Sequence, residues 1–168
     1  MFFKNTNIAE GFRRHGTMPS LIEQEKKLNY VSTMTLLAAI AYSAFLPLKL
    51  GSGWFYAGLI LYLLGLVFGL IAIINFGITS LDKPVINGVY RISRNPMYFG
   101  MFVIFIGISV ASASWLFTLL TIIWLILADR GVIAEERWCL ETYKDVYKEY
   151  MNRPPRWIGV PKSMNDKS

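Results

Sequence analysis

From Asn95 to Ala128 the chain reads NPMYFGMFVIFIGISVASASWLFTLLTIIWLILA, 34 residues without one Asp, Glu, Lys or Arg. A helix over Tyr98–Leu127 would be about 45 Å long, and the apolar core of a bilayer is only about 30 Å thick. The run is therefore too long for one upright crossing. Its middle, Ser109-Val110-Ala111-Ser112-Ala113-Ser114, is small and polar, and Trp115 follows. This pattern predicts a tight helical hairpin, Tyr98–Val110 and Trp115–Ala128, with the second arm continuing as a charged helix beyond the apolar layer. A single steeply tilted helix is the competing reading.

Two further charge-free runs precede it, 21 residues between Lys27 and Lys49 and 32 between Lys49 and Asp82. Together the three runs take up 87 of 168 positions, and 54% of the chain is hydrophobic with only 17% charged. So small a chain lacks the interior to hide that much apolar surface from water. The expected class is all-α: a polytopic membrane helical bundle of about four crossings, with an intramembrane hairpin and a cytoplasmic C-terminal helix. Soluble nucleic-acid binders, disulfide scaffolds and disordered chains are excluded. One cysteine, Cys139, and one histidine, His15, leave no material for a disulfide, a multi-cysteine zinc site or a Ser-His-Asp triad.

One domain is expected. Its polar tail covers 1–29, with no signal-peptide core; 30–128 hold the membrane helices and a loop, and 129–158 an amphipathic helix and tail. Leu21–Tyr30 reads as a short interfacial helix, Tyr30–Leu48 as the first span and Trp54–Ile74 as the second. Gly65 and Gly69 form a GxxxG suited to close helix packing. Of 17 basic residues, only Lys49 falls in the turn between the first two spans. With four crossings the other sixteen share one side, which the positive-inside tendency makes cytoplasmic. Chemistry is then sought in the loop 75–97 and the tail after Asp129.

In that loop Asn87-Gly88 marks a turn, and Asn95-Pro96 suits the cap and first turn of a helix. By spacing alone, Arg91 and Arg94 would face lipid phosphates. In the tail, Glu136, Leu140, Tyr143, Tyr147 and Tyr150 recur at intervals of 4, 3, 4 and 3, one stripe of a helix. A carboxylate on an apolar stripe needs a cationic partner, from the protein or from a ligand. Glu135 points about 100° away and reads as solvated, and Cys139 as a packing residue.

Gly88-Val89-Tyr90-Arg91, then Arg94-Asn95-Pro96-Met97-Tyr98-Phe99-Gly100, an apolar hairpin, Glu135-Glu136 and Arg153-Pro154-Pro155-Arg156-Trp157 together resemble the isoprenylcysteine carboxyl methyltransferase and phospholipid methyltransferase family of integral membrane proteins. The resemblance covers about residues 54–158. It implies a membrane enzyme that binds S-adenosyl-L-methionine on the cytoplasmic side and draws a hydrophobic or lipid acceptor from the bilayer, without metal or nucleic acid. It places the cofactor on Asn75, Pro84, Val85, Tyr90, Arg94, Asn95, Pro96, Met97, Tyr98, Glu135 and Glu136, with Arg130 orienting the substrate. Asn95 stands where the family has histidine, Pro84 where it has leucine and Asn75 where it has glutamine.

With no histidine to take a proton, the reading favours an acceptor that is already anionic. Glu136→Gln is expected to weaken donor binding by about 1–3 kcal/mol and to spare folding. Two alternatives remain open. One is an NADPH-dependent membrane reductase related to sterol reductases, which share the Arg-His-Pro-x-Tyr hairpin. The other is a non-catalytic lipid-binding member.

Overall fold

The computed structural model describes residues 23–80 and 82–161; His15 and the polar residues 1–22 lie outside them. Four α-helices and one 3-10 turn make up the described fold: α1 Glu23–Ser43, α2 Gly53–Ile78, the turn Gly88–Arg91, α3 Pro96–Ser112 and α4 Trp115–Met151. The fold is all-α, as expected. By length and composition α2 and α4 are able to cross a membrane, whereas α3 is a shorter apolar helix of 17 residues. Along α2, Leu63, Leu64, Val67, Leu70, Ile73 and Ile74 stay exposed on the chain's own surface, an apolar face that needs a non-aqueous surrounding.

The first helix differs from its expected bounds. It begins by Glu23 rather than near Tyr30, because nothing between Glu23 and Asn29 breaks a helix, and Lys26 pairs with Glu23 at 2.7 Å. The interfacial and spanning segments are thus one rod. It stops at Ser43, short of Leu48, since Pro47 disfavours helix in the residue before it.

The hairpin forms where the small polar residues placed it. Ala113 adopts the left-handed conformation (φ 51°, ψ 39°) and its N–H donates to the carbonyls of Ser109 and Val110. Ser114 then caps α4, its side chain accepting from the Phe117 N–H at 3.3 Å. A single tilted helix is excluded. Past Ala128, α4 runs on as the expected charged extension, interrupted at Lys144 (φ 48°, ψ −124°).

Glycine sets the α2–α3 seam, and of the expected GxxxG it is Gly65 that must lack a side chain, while Gly69 offers its backbone to Gly100. A Cβ at Gly58 would come 2.3 Å from the Ala111 nitrogen, and one at Gly107 would come 2.5 Å from the Tyr62 nitrogen. At Gly65 it would come 2.7 Å from the Ile104 nitrogen, and at Gly100 2.9 Å from the Gly69 Cα. Gly69 itself has open space where a Cβ would be. The working pairs are Gly58 with Gly107 and Gly65 with Gly100, seven residues apart on each antiparallel helix.

On the other side α1 packs along α4. Ala39, Phe105, Phe117, Trp124 and Ala128 form one buried cluster. A second, built from Ala72, Val85, Tyr90, Tyr147 and Tyr150, joins the loop to the α4 extension. After α4 the tail doubles back across the loop: the Arg94 N–H donates to the Pro155 carbonyl at 3.0 Å and the Gly159 N–H to the Ile92 carbonyl at 3.1 Å.

Candidate active site

Between the two clusters lies a cavity of about 370 Å³. Its walls come from the loop, the start of α3, the middle of α4 and its extension, and one face of α1. Glu136 is its most buried charge, only 4% exposed. One carboxylate oxygen, Oε1, lies 3.0 Å from Arg94 Nε and accepts from Asn95 Nδ2 at 3.4 Å. The other, Oε2, accepts from Arg156 Nη2 at 3.0 Å. The stripe's carboxylate has therefore found its cations within the protein. Arg94 does not turn to lipid phosphates: its Nη1 donates to the Met151 carbonyl at 2.8 Å. Arg91 remains exposed.

Arg156 reaches onward to Asp129 Oδ1 at 3.5 Å. Burial works against its charge, but the hydrogen bond and charge of Glu136, with Asp129 behind them, outweigh this and raise its pKa. Asn95 sits at the first turn of α3, yet its side chain caps nothing. Its amide is drawn instead to Glu136 and to the Arg156 carbonyl, 3.2 Å away. An ion-pair partner outcompetes the helix terminus because hydrogen bonds to a charge are the stronger ones.

Glu135 is not on a solvated face. It is half-buried in the cavity wall and accepts from the Tyr98 hydroxyl at 2.7 Å. The Tyr98 ring stacks on Trp124, with centroids 6.4 Å apart and planes at 26°. Beyond these charges the wall turns aromatic: Phe76, Tyr90, Trp138, Tyr143, Tyr147 and Tyr150 line it, and the Tyr150 hydroxyl donates to the Tyr90 carbonyl at 2.7 Å. Cys139 lines the same wall, packed in the second cluster as expected.

Of the residues singled out in the sequence, Pro84, Val85, Tyr90, Arg94, Asn95, Pro96, Met97, Tyr98, Glu135 and Glu136 all line this cavity. Asn75 and Arg130 do not. Asn75 packs under the turn, where a Cβ at Gly88 would come 2.3 Å from its Nδ2. Arg130 is exposed and faces a separate depression beside Ile126 and Trp157. Sequence reasoning missed Asn29, Ser32 and Thr33 of α1, and also Arg156, whose Pro-Pro-Arg-Trp motif was visible while its partner was not.

The chain can now be set against known proteins. A family model described as phospholipid methyltransferase matches residues 53–146, more than half of the chain. The chain belongs to the phospholipid methyltransferase family. No curated protein matches it as a relative. The matched stretch opens at α2 and takes in the loop, the hairpin and most of α4. Among the described residues of this phospholipid methyltransferase family member, α1, the end of α4 and the tail that carries Arg156 lie outside it.

Proposed function

We propose that this member of the phospholipid methyltransferase family transfers a methyl group from S-adenosyl-L-methionine to a lipidic or otherwise hydrophobic acceptor. The observation that carries the reading is the cavity itself, where an aromatic wall meets Glu135, Glu136 and Tyr98. The residues suit that donor. Tyr90, Trp138, Tyr143, Tyr147 and Tyr150 offer aromatic faces to a sulfonium cation. Glu135 and the Arg94–Glu136 pair give polar contacts to an amino-acid end or to ribose hydroxyls. A volume of about 370 Å³ falls within the range of small-molecule sites.

When bound, the donor supplies a methyl group on positively charged sulfur, open to in-line displacement by a nucleophile. The protein's share of that chemistry is positioning and the exclusion of water. Pro96 and Met97 line the cavity at the start of α3, and the doubled-back tail is hydrogen-bonded across the loop. Tyr98 and Glu135 stand where the aromatic wall ends and the α1-facing part of the cavity begins. Glu135 is also a lining group able to take a proton from an amine. The expected bias toward an anionic acceptor, which rested on the absence of histidine, therefore loses its ground.

In this reading all four helices cross the bilayer, α3 by a short span, and the loop, the α4 extension and both termini lie in the cytoplasm. The distribution of basic residues supports that topology. The test is binding by purified protein. Saturable binding of S-adenosylhomocysteine, with methyl label passing from S-adenosyl-L-methionine to an extracted lipid, is expected. Binding of NADPH in its place would identify a reductase, and binding of neither would leave a non-catalytic lipid-binding protein.

A further inference from the structure

Two helical faces oppose each other across one side of the cavity. Asn29, Ser32, Thr33 and Leu36 line it from α1, at the 3-1-3 spacing of a single helix face. Trp124, Ala128, Gly131 and Glu135 line it from α4, at 4-3-4. The faces run antiparallel and in register. A Cβ at Gly131 would lie 3.6 Å from Asn29 Oδ1, and Arg137, six residues further along α4, makes a two-pronged ion pair with Glu25 at 2.7 and 2.8 Å. At the other end Leu36 packs against the first cluster, to which Trp124 belongs. The slot between them is graded, polar at Asn29 and Glu135 and apolar at Leu36 and Trp124.

Ser32 is only 7% exposed. Neither its hydroxyl nor the Asn29 amide has a hydrogen-bond partner among the described residues, and both line the slot. Buried polar groups normally find partners, so the hydroxyl of buried Ser32, with the half-buried Asn29 amide three residues before it on the same wall, is suited to a ligand. From these observations we infer that Asn29 and Ser32 are specificity-determining residues which receive the head of the methyl acceptor. The acceptor is an amphiphile with a small head that both donates and accepts hydrogen bonds. Its chain stays outside, because a cavity of about 370 Å³ is near the lower end for one small ligand and has no room for a long chain beside the donor. This assignment rests on the methyltransferase reading above. It goes beyond the family match, because α1 lies outside residues 53–146.

The experiment uses the full chain in lipid–detergent micelles, with Ser32→Ala, Asn29→Ala, the double variant and Ser32→Thr. Affinity for S-adenosylhomocysteine is measured beside methyl transfer from labelled S-adenosyl-L-methionine to a titrated native-membrane lipid extract. The double variant is expected to bind S-adenosylhomocysteine within twofold of wild type. Its apparent KM for the extract should rise at least tenfold while the saturated rate is largely kept, and Ser32→Thr should retain wild-type KM. An unchanged apparent KM in the double variant overturns the assignment. So does a parallel fall in S-adenosylhomocysteine affinity, which would make α1 a structural wall. If wild-type protein binds S-adenosylhomocysteine but labels nothing in the extract, the methyltransferase reading itself fails and takes this inference with it.

Discussion

Replacing Glu136 by glutamine removes the one negative charge on which Arg94, Asn95 and Arg156 converge. The amide keeps the size but loses the charge, and its NH2 must face either Asn95 Nδ2 or a guanidinium, donor against donor. Removing one partner from a buried ion pair costs about 3–5 kcal/mol. Arg94 is deeply placed, its side chain 13% exposed, but that of Arg156 is 33% exposed, so water recovers part of the loss there. A destabilisation of about 3 kcal/mol, the lower end of that range, is expected. This reverses the expectation from sequence that folding would be spared, because the carboxylate balances two of the protein's own cations. Urea unfolding in lipid–detergent micelles, followed by tryptophan fluorescence, reads it directly. Combining Glu136→Leu with Arg94→Met should recover part of the stability, since an apolar pair removes the uncompensated charge. A Glu136→Gln protein within about 0.5 kcal/mol of wild type, the scatter of an ordinary surface change, would refute the reasoning.

Tyr98→Phe keeps the stack on Trp124 and loses the hydroxyl bond to Glu135, so the fold should hold while methyl transfer falls but stays measurable. Tyr98→Ala should abolish transfer and lower the melting temperature as well. Asn95→Ala gives up two hydrogen bonds and is expected to cost about 1–3 kcal/mol. Asn95→His, able to donate to Glu136 again, should melt closer to wild type than the alanine variant. Gly107→Ala drives a methyl into the α2 backbone and should destabilise by about 1–3 kcal/mol. Gly69→Ala, whose methyl meets open space, should unfold within about 0.5 kcal/mol of wild type.

What could be read without coordinates was what lies close in sequence. The hairpin was legible because 34 uncharged residues exceed a bilayer's thickness and small polar residues interrupt them. The extension of α4 and the inward placing of Glu136 followed from its charges and the 4-3-4-3 stripe. The partners of those residues were not legible. Arg156 meets Glu136 only because the tail doubles back, and Glu25 meets Arg137 across 112 positions, with no local signal in either case. Asn95 was misread because a cap is a local inference, and the charge that overrules it lies 41 residues away. The glycine seam was half legible: a four-residue spacing drew the eye to Gly69, whereas two antiparallel helices keep step over seven.

The order in which the parts of the cavity are made follows from the returning tail. Synthesis runs from the N-terminus, so α1, the loop, the hairpin and Glu136 all exist before Arg156 does. Until the tail docks, Arg94 is the only one of the two cations beside the carboxylate, and no carbonyl from residues 155 and 156 holds the Arg94 and Asn95 end of the loop. The cavity is thus closed by the last described segment of the chain, which docks onto helices that precede it in sequence. A chain cut between Met151 and Pro155 would lack both the second cation of Glu136 and the two carbonyls that hold the loop.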